Sequence, residues 1–147
     1  MTTGYVLHDV APDAETLLRL RGAAGLTTYS IEQARRGAAH ALFGITVVHG
    51  DTIVGIGRII GDGGYFFTVT DVAIDPGHQG KGVGRMVIAR LTEWLRANAP
   101  KPSFVSLFTD EDKPPLYEKF GFRVCGPEDT AMVMASRIAG RSALVSR

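Results

Sequence analysis

The chain has 147 residues, 45% of them hydrophobic, and sixteen Lys and Arg against fifteen Asp and Glu leave a formal net charge of +1. A chain of this length buries about two thirds of the surface its unfolded form exposes, enough for one core without metal or disulfide staples. Near-neutral charge argues against a protein that coats nucleic acid, the single Cys125 rules out an internal disulfide and points to a reducing compartment, and neither a run of about 18 apolar residues nor a leader-like N-terminus is present, so the chain reads as soluble, cytoplasmic and membrane-free.

In chain order, residues 5–8 form a short first strand, and Asp13 caps a helix that runs to about Ala24, with Leu17, Leu18 and Leu20 on its apolar side and Gly25 at its end. Ser30 with Gln33 three residues later is a capping-box pattern, so a second helix covers 31–40. Residues 42–48 and 52–60 are rich in β-branched side chains and are joined by His49-Gly50-Asp51, and Asp62-Gly63-Gly64 turns the chain into 65–74, which makes a three-strand antiparallel meander. Val83, Val87, Leu91 and Leu95, four apart, with Ile88 and Trp94 beside them, predict a helix over 82–98 that Ala99-Pro100-Lys101-Pro102 stops. Residues 104–108 form a short strand, parallel to the preceding one if the helix between them is a crossover. Pro114 or Pro115 starts a short helix through Lys119 that Gly121 closes, and 122–125 and 130–135 finish the sheet. The last residues, with Arg137, Arg141 and Arg147, read as a frayed basic tail over 137–147.

Residues Gln79-Gly80-Lys81-Gly82-Val83-Gly84 stand between a strand and a helix. The N–H groups of a first helical turn lack intrahelical partners and carry the positive end of the helix dipole, which suits pyrophosphate, and Gly82 and Gly84 place no Cβ in its way. The spacing excludes two other phosphate loops. A Walker loop needs Ser or Thr after its Lys, where Lys81 is followed by Gly82, and a dinucleotide fingerprint needs G-x-G-x-x-G with an acid about 20 residues on, where Glu93 lies too close and within the helix.

What remains, Q-x-x-G-x-G after Asp71-Val72-Ala73-Ile74-Asp75-Pro76, resembles the acetyl-CoA-binding signature of the GCN5-related N-acetyltransferase (GNAT) superfamily. Leu116-Tyr117-Glu118-Lys119-Phe120-Gly121-Phe122 resembles that superfamily's second signature, in the same order along the chain. The resemblance covers about 43–122 and implies an α/β (α+β) fold: one domain over 1–136 with a mixed, mostly antiparallel sheet of six to seven strands, about four flanking helices, and a splay between strands 4 and 5. The splay leaves backbone groups unpaired, and the backbones of Val72, Ala73 and Ile74 are implied to pair there with the amide-bearing pantetheine arm of the cofactor. Gln79, Gly80, Lys81, Gly82, Val83 and Gly84 are implied to hold its phosphates. Arg85 either adds a charge-assisted contact or stays on a solvated helix face, and Lys81 has the same two readings.

Acyl transfer to an amine needs a polarised thioester carbonyl, a deprotonated amine and a proton for the departing thiolate. Backbone N–H near Val72 serves the first. Tyr117 falls where the resemblance places a general-acid tyrosine, and a phenol protonates a thiolate without being ionised at neutral pH. Many members carry a general-base Glu where this chain has Thr70; Asp71 is expected on the opposite strand face, Thr68 also replaces a His of some relatives, and ordered water between Thr68 and Thr70 is the favoured relay. Asp110 is a second candidate base, or a cofactor contact. Tyr29, Phe66 and Phe67 are expected to line the pocket of a small primary amine such as an arylalkylamine, a polyamine or an aminoglycoside-like compound. The overall reading is an acetyl-CoA-dependent N-acetyltransferase, monomeric or homodimeric, acting by direct attack in a ternary complex; the alternatives are acetylation of a protein or peptide amine, or a non-catalytic acyl-CoA-binding module. His8, His40 and His49 have no metal-ligand spacing, His78 is weighed as a base, and Cys125 is expected to pack in an apolar strand.

Overall fold

A computed structural model describes residues 4–110 and 112–133. Five strands form one sheet in the order β1-β2-β3-β4-β5: β1 (Tyr5–His8), β2 (Phe43–His49), β3 (Thr52–Gly61), β4 (Phe66–Ile74) and β5 (Phe104–Ser106). The first four are antiparallel neighbours and β5 is parallel to β4. The helices are α1 (Ala14–Ala23), α2 (Ile31–Ala38), α3 (Val83–Asn98) and α4 (Pro114–Glu118). The meander and the crossover through α3 therefore stand as read from the sequence, on an α/β architecture.

Local chemistry accounts for the element ends. The Asp13 carboxylate accepts the Thr16 N–H at 2.8 Å to cap α1, and Ser30 and Gln33 form the reciprocal capping box of α2. At the β3–β4 turn one oxygen of Asp62 accepts the N–H groups of Gly64, Tyr65 and Phe66. These bonds, that of Phe66 foremost, hold its carboxyl below the usual carboxylate range.

One face of α3 (Val83, Val87, Ile88, Leu91 and Leu95) is buried, while Leu17 and Leu20 of α1 pack with Ile56 and Ala73. Helix α3 lies so close to β3 that a Cβ at Gly57 would stand 2.7 Å from Val87 Cγ1 and 2.9 Å from Leu91 Cδ1. Trp94 stacks on Phe43 with ring centroids 5.1 Å apart and planes at 8°, which ties the solvent side of α3 to β2.

Two compact units divide the chain, Met1–Thr109 and Asp110–Arg147. In the second, α4 ends in a turn where Phe120 and Phe122 donate to the Tyr117 carbonyl, at 2.9 and 3.4 Å, and Gly121 has φ +101°. The sheet differs from expectation at this end. Residues 122–126 carry no strand, and the expected strand over 130–135 lies partly, and the tail over 137–147 wholly, outside the described residues. Cys125 is exposed instead of packed in a strand.

Replacing Gly57 by Ala should cost about 1–3 kcal/mol, because the new methyl overpacks the α3–β3 contact. Chemical denaturation should show a lower midpoint at unchanged slope, and an unchanged midpoint would contradict the contact.

Candidate active site on strand β4

Strand β4 has one edge that is open over much of its length among the described residues. It pairs with β5 only through Phe66–Phe104, Phe67–Val105 and Thr68–Ser106, so residues 69–74 run on without a ladder partner on that side among the described residues. Thr68 and Ser106 close the paired part with a hydroxyl contact of 3.2 Å. Val72 and Ile74 direct their side chains to the α3 side, beside Gly57 and Gly55, whereas Ala73 packs toward α1.

Beyond Ile74 the chain makes a 3-10 turn, Pro76–His78, in which the Asp75 carboxylate accepts the Gly77 N–H at 2.9 Å. Tyr5 Oη lies 2.8 Å from His78 Nδ1 and the His49 ring packs on both residues, so His78 is tied to β1 and β2. The Gln79 side-chain amide turns back and donates to the Ile74 carbonyl at 3.0 Å. Gly80 and Gly82 follow at φ +76° and +87°, a left-handed conformation that costs glycine little, and Gly82 caps α3 without a side chain. The first helical bond runs from the Met86 N–H to the Gly82 carbonyl. The N–H groups of Val83, Gly84 and Arg85 precede it and so lack an intrahelical acceptor, with Lys81 and Arg85 exposed beside them. An anion fits here.

On its other side β4 carries a bulge. Ile56 pairs with Ala73 and Arg58 with Thr70, so Asp71 and Val72 together oppose Gly57, and Asp71 has φ +56°. That conformation is uncommon outside glycine, and Asp is among the side chains that tolerate it. The bulge overturns the expected alternation: Thr70 and Asp71 line the same pocket, a cavity of about 320 Å³ between α1, α2 and the sheet. Asp71 Oδ1 accepts Arg21 Nη1 at 2.5 Å and Oδ2 accepts Arg58 Nε at 2.5 Å. Arg21 also donates through Nε and Nη2 to the Thr27 carbonyl, and Arg58 through Nη1 to that of Gly37. Tyr29 lies over the Arg21 guanidinium, 5.2 Å from its ring centroid.

Of the residues expected at the acceptor, Tyr29 and Thr70 meet in this pocket. Phe66, Phe67 and Thr68 do not line it. Phe67 is buried at 2% exposure, Phe66 is half exposed and stacks edge-on to Phe104, and Thr68 lies at the β5 pairing. The cause is β4's alternation over its paired half, which sends Phe67 into the core and Phe66 outward. Asp110 is exposed and its carbonyl accepts the Lys113 N–H, and Tyr117 is buried with its ring edge-on to Phe122. Arg21 and Arg58 escaped the sequence reading, and Asp71 was set aside there on the opposite strand face. Their signal was a charge inside an otherwise apolar stretch: Arg21 one turn after Leu17, Arg58 within Ile56-Gly57-Arg58-Ile59-Ile60, and Asp71 within Val69-Thr70-Asp71-Val72.

A family model described as an acetyltransferase (GNAT) domain matches residues 34–124. The chain belongs to the GNAT superfamily. Its fold is similar to that of a protein of unknown function from methicillin-resistant Staphylococcus aureus, described as a probable acetyltransferase, at TM-score 0.82 and 31% identity over 88% of this chain and 98% of that one. A GNAT family protein of Streptococcus pneumoniae gives TM-score 0.70 and 26% identity over 90% and 97% of the two chains. Among curated proteins, an uncharacterized N-acetyltransferase of Pyropia yezoensis is 39% identical over 70 residues, 48% of this chain and 39% of that protein's length. This GNAT chain thus shares its overall fold with those two proteins, and its bulged β4 stands between the open edge and the pocket.

Asp71→Asn tests the charge at the bulge, since Asn keeps the shape and the tolerance for positive φ while removing the counter-ion of two largely buried guanidiniums. A loss of about 3 kcal/mol is expected in chemical denaturation, because breaking a buried pair leaves uncompensated charge. A change under about 0.5 kcal/mol would mean that solvent already screens the cluster.

Proposed function

We propose that this GNAT protein moves an acetyl group from acetyl-CoA to the primary amine of a small molecule, by direct attack in a ternary complex. One observation carries the reading. Among the described residues the same stretch of β4 has no ladder partner on its β5 side and carries the Thr70–Asp71 bulge lining a pocket on its α1–α2 side, so an extended amide-bearing donor and a small acceptor can approach one strand from two directions. The volume of about 320 Å³ suits a small molecule.

The residues fit the donor. Left-handed Gly80 and Gly82 deliver a helix end without a side-chain cap whose N–H groups at Val83, Gly84 and Arg85 donate to the phosphates, with Lys81 and Arg85 as flanking cations. The backbones of Val72, Ala73 and Ile74 take the pantetheine amides in place of a missing strand. Acetyl-CoA supplies the activated thioester; the chain's own work is to orient it, to polarise its carbonyl with the N–H next to the bulge at Val72, and to manage two protons. Tyr117, from its place in the second signature, donates the proton that the departing thiolate takes up. The amine's proton leaves through water in the pocket beside Thr70, since both oxygens of Asp71 are engaged by guanidiniums. No covalent enzyme intermediate forms.

Two measurements test the reading. Gly84→Val adds a branched side chain in the first turn of α3 at little cost in helix propensity, so calorimetric titration should show a folded protein with acetyl-CoA affinity lowered about tenfold or more; unchanged affinity would remove the phosphate assignment. Tyr117→Phe keeps the ring and its packing on Phe122, so stability should move by about 1 kcal/mol or less. Its kcat should fall about 10²- to 10⁴-fold, with KM for acetyl-CoA within a few-fold and a loss that eases at acidic pH, as expected when a positioned general acid is removed. Full kcat across pH would make Tyr117 a structural aromatic.

A further inference from the structure

The α1–α2 pocket holds more positive charge than its own carboxylate balances. Its lining contains two guanidiniums, Arg21 and Arg58, and one acid, Asp71. A guanidinium has five N–H donors. Among the described residues Arg21 engages three of them, two on the Thr27 carbonyl and one on Asp71, and Arg58 engages two, on Asp71 and the Gly37 carbonyl. Donors therefore remain on both groups, and the two side chains keep 15% and 14% of their surface accessible. Counterbalancing Asp71 alone needs one cation. A second one held in place by backbone carbonyls leaves the pocket with a net positive charge in a partly dry setting, where an incoming anion is worth more than at an open surface.

The rest of the lining narrows the ligand. Leu17, Leu18 and Ala34 supply an apolar wall, and Tyr29, Gln33 and Thr70 supply neutral polar groups. A polyamine or aminoglycoside-like acceptor brings several cations into this field, whereas a single carboxylate matches the one unbalanced charge and the planar fork of a guanidinium. We propose that Arg21 and Arg58 form an anion subsite that selects amines bearing a carboxylate, amino acids with an apolar side chain being the fitting class. The inference rests on the acetyl-transfer reading above, and it assigns the two arginines a specificity role in addition to their hold on Asp71.

Comparing substrate amines directly would mix recognition with the different basicities of their amino groups, so the N-acetylated products are the better probes. Calorimetric titration of the CoA-saturated protein with N-acetyl-phenylalanine and with N-acetyl-phenethylamine, which differ by one carboxylate, should give affinities at least about tenfold apart in favour of the carboxylate, a gap that narrows with added salt. Arg21→Gln and Arg58→Gln, made singly, each leave one arginine for Asp71, and either should shrink the gap to within about threefold while CoA affinity holds. Equal affinities in the wild type, tighter binding of the neutral product, a folded variant that keeps the full preference, or no binding of either product overturns the subsite; the wild-type comparison decides even if neither variant folds. The parent reading fails separately, if the protein neither binds CoA nor releases thiol with a mixed panel of anionic, neutral and cationic amines. Thiol release with the neutral or cationic amines alone leaves acetyl transfer standing and overturns the subsite.

Discussion

The Asp71 carboxylate between Arg21 and Arg58 is the interaction on which the α1–α2 side of the sheet is built. It joins α1 to β3 and β4, and through the remaining donors of the same guanidiniums it also secures the α1–α2 connection at Thr27 and the end of α2 at Gly37. Such a cluster carries a desolvation cost, which two charge-assisted bonds and the backbone carbonyls offset. It also stabilises a left-handed backbone at Asp71 that a lone β-strand residue would leave. Without the charge, α1 would lose this tie to the sheet and keep its apolar packing through Leu17 and Leu20 on Ile56 and Ala73.

The bulge in turn makes β4 a strand with two uses. At Phe67 and Thr68 it is an ordinary inner strand with a partner on each side. Past Thr68 the β5 partner ends, and at Asp71 the regular register with β3 slips by one residue. Strand alternation resumes afterwards with Val72 and Ile74 toward α3 and Ala73 toward α1. The close packing of α3 over Gly57 then fixes where the uncapped N-terminus of α3 stands relative to that same strand. A glycine in β3, an aspartate in β4 and a glycine at φ +87° before α3 thus serve one arrangement.

Much of this was legible along the chain because it depends on neighbours in sequence. The caps at Asp13 and Ser30, the period of four from Val83 to Leu95 and the hairpin at His49-Gly50-Asp51 are local signals, and each element formed where its signal lay. The family likewise rests on two short motifs read in order. The pocket between α1, α2 and the sheet was legible only in part. Tyr29 and Thr70 met there, but Phe67 went to the core because alternation alone does not say which face of a strand is covered by a helix.

By itself, then, the sequence determined the identity and order of the elements from β1 to α4, the glycine loop before α3 and the superfamily, since propensity, capping and motif spacing act over a few residues. Only the tertiary structure decided that Arg21, Arg58 and Asp71, separated by up to 50 positions, share one pocket. It also decided that Asp71 abandons strand alternation to reach them. Both follow from long-range burial of charge: three ionisable groups within apolar stretches had to find one another, and the energy of their pairing outweighed the local preference of the β4 backbone.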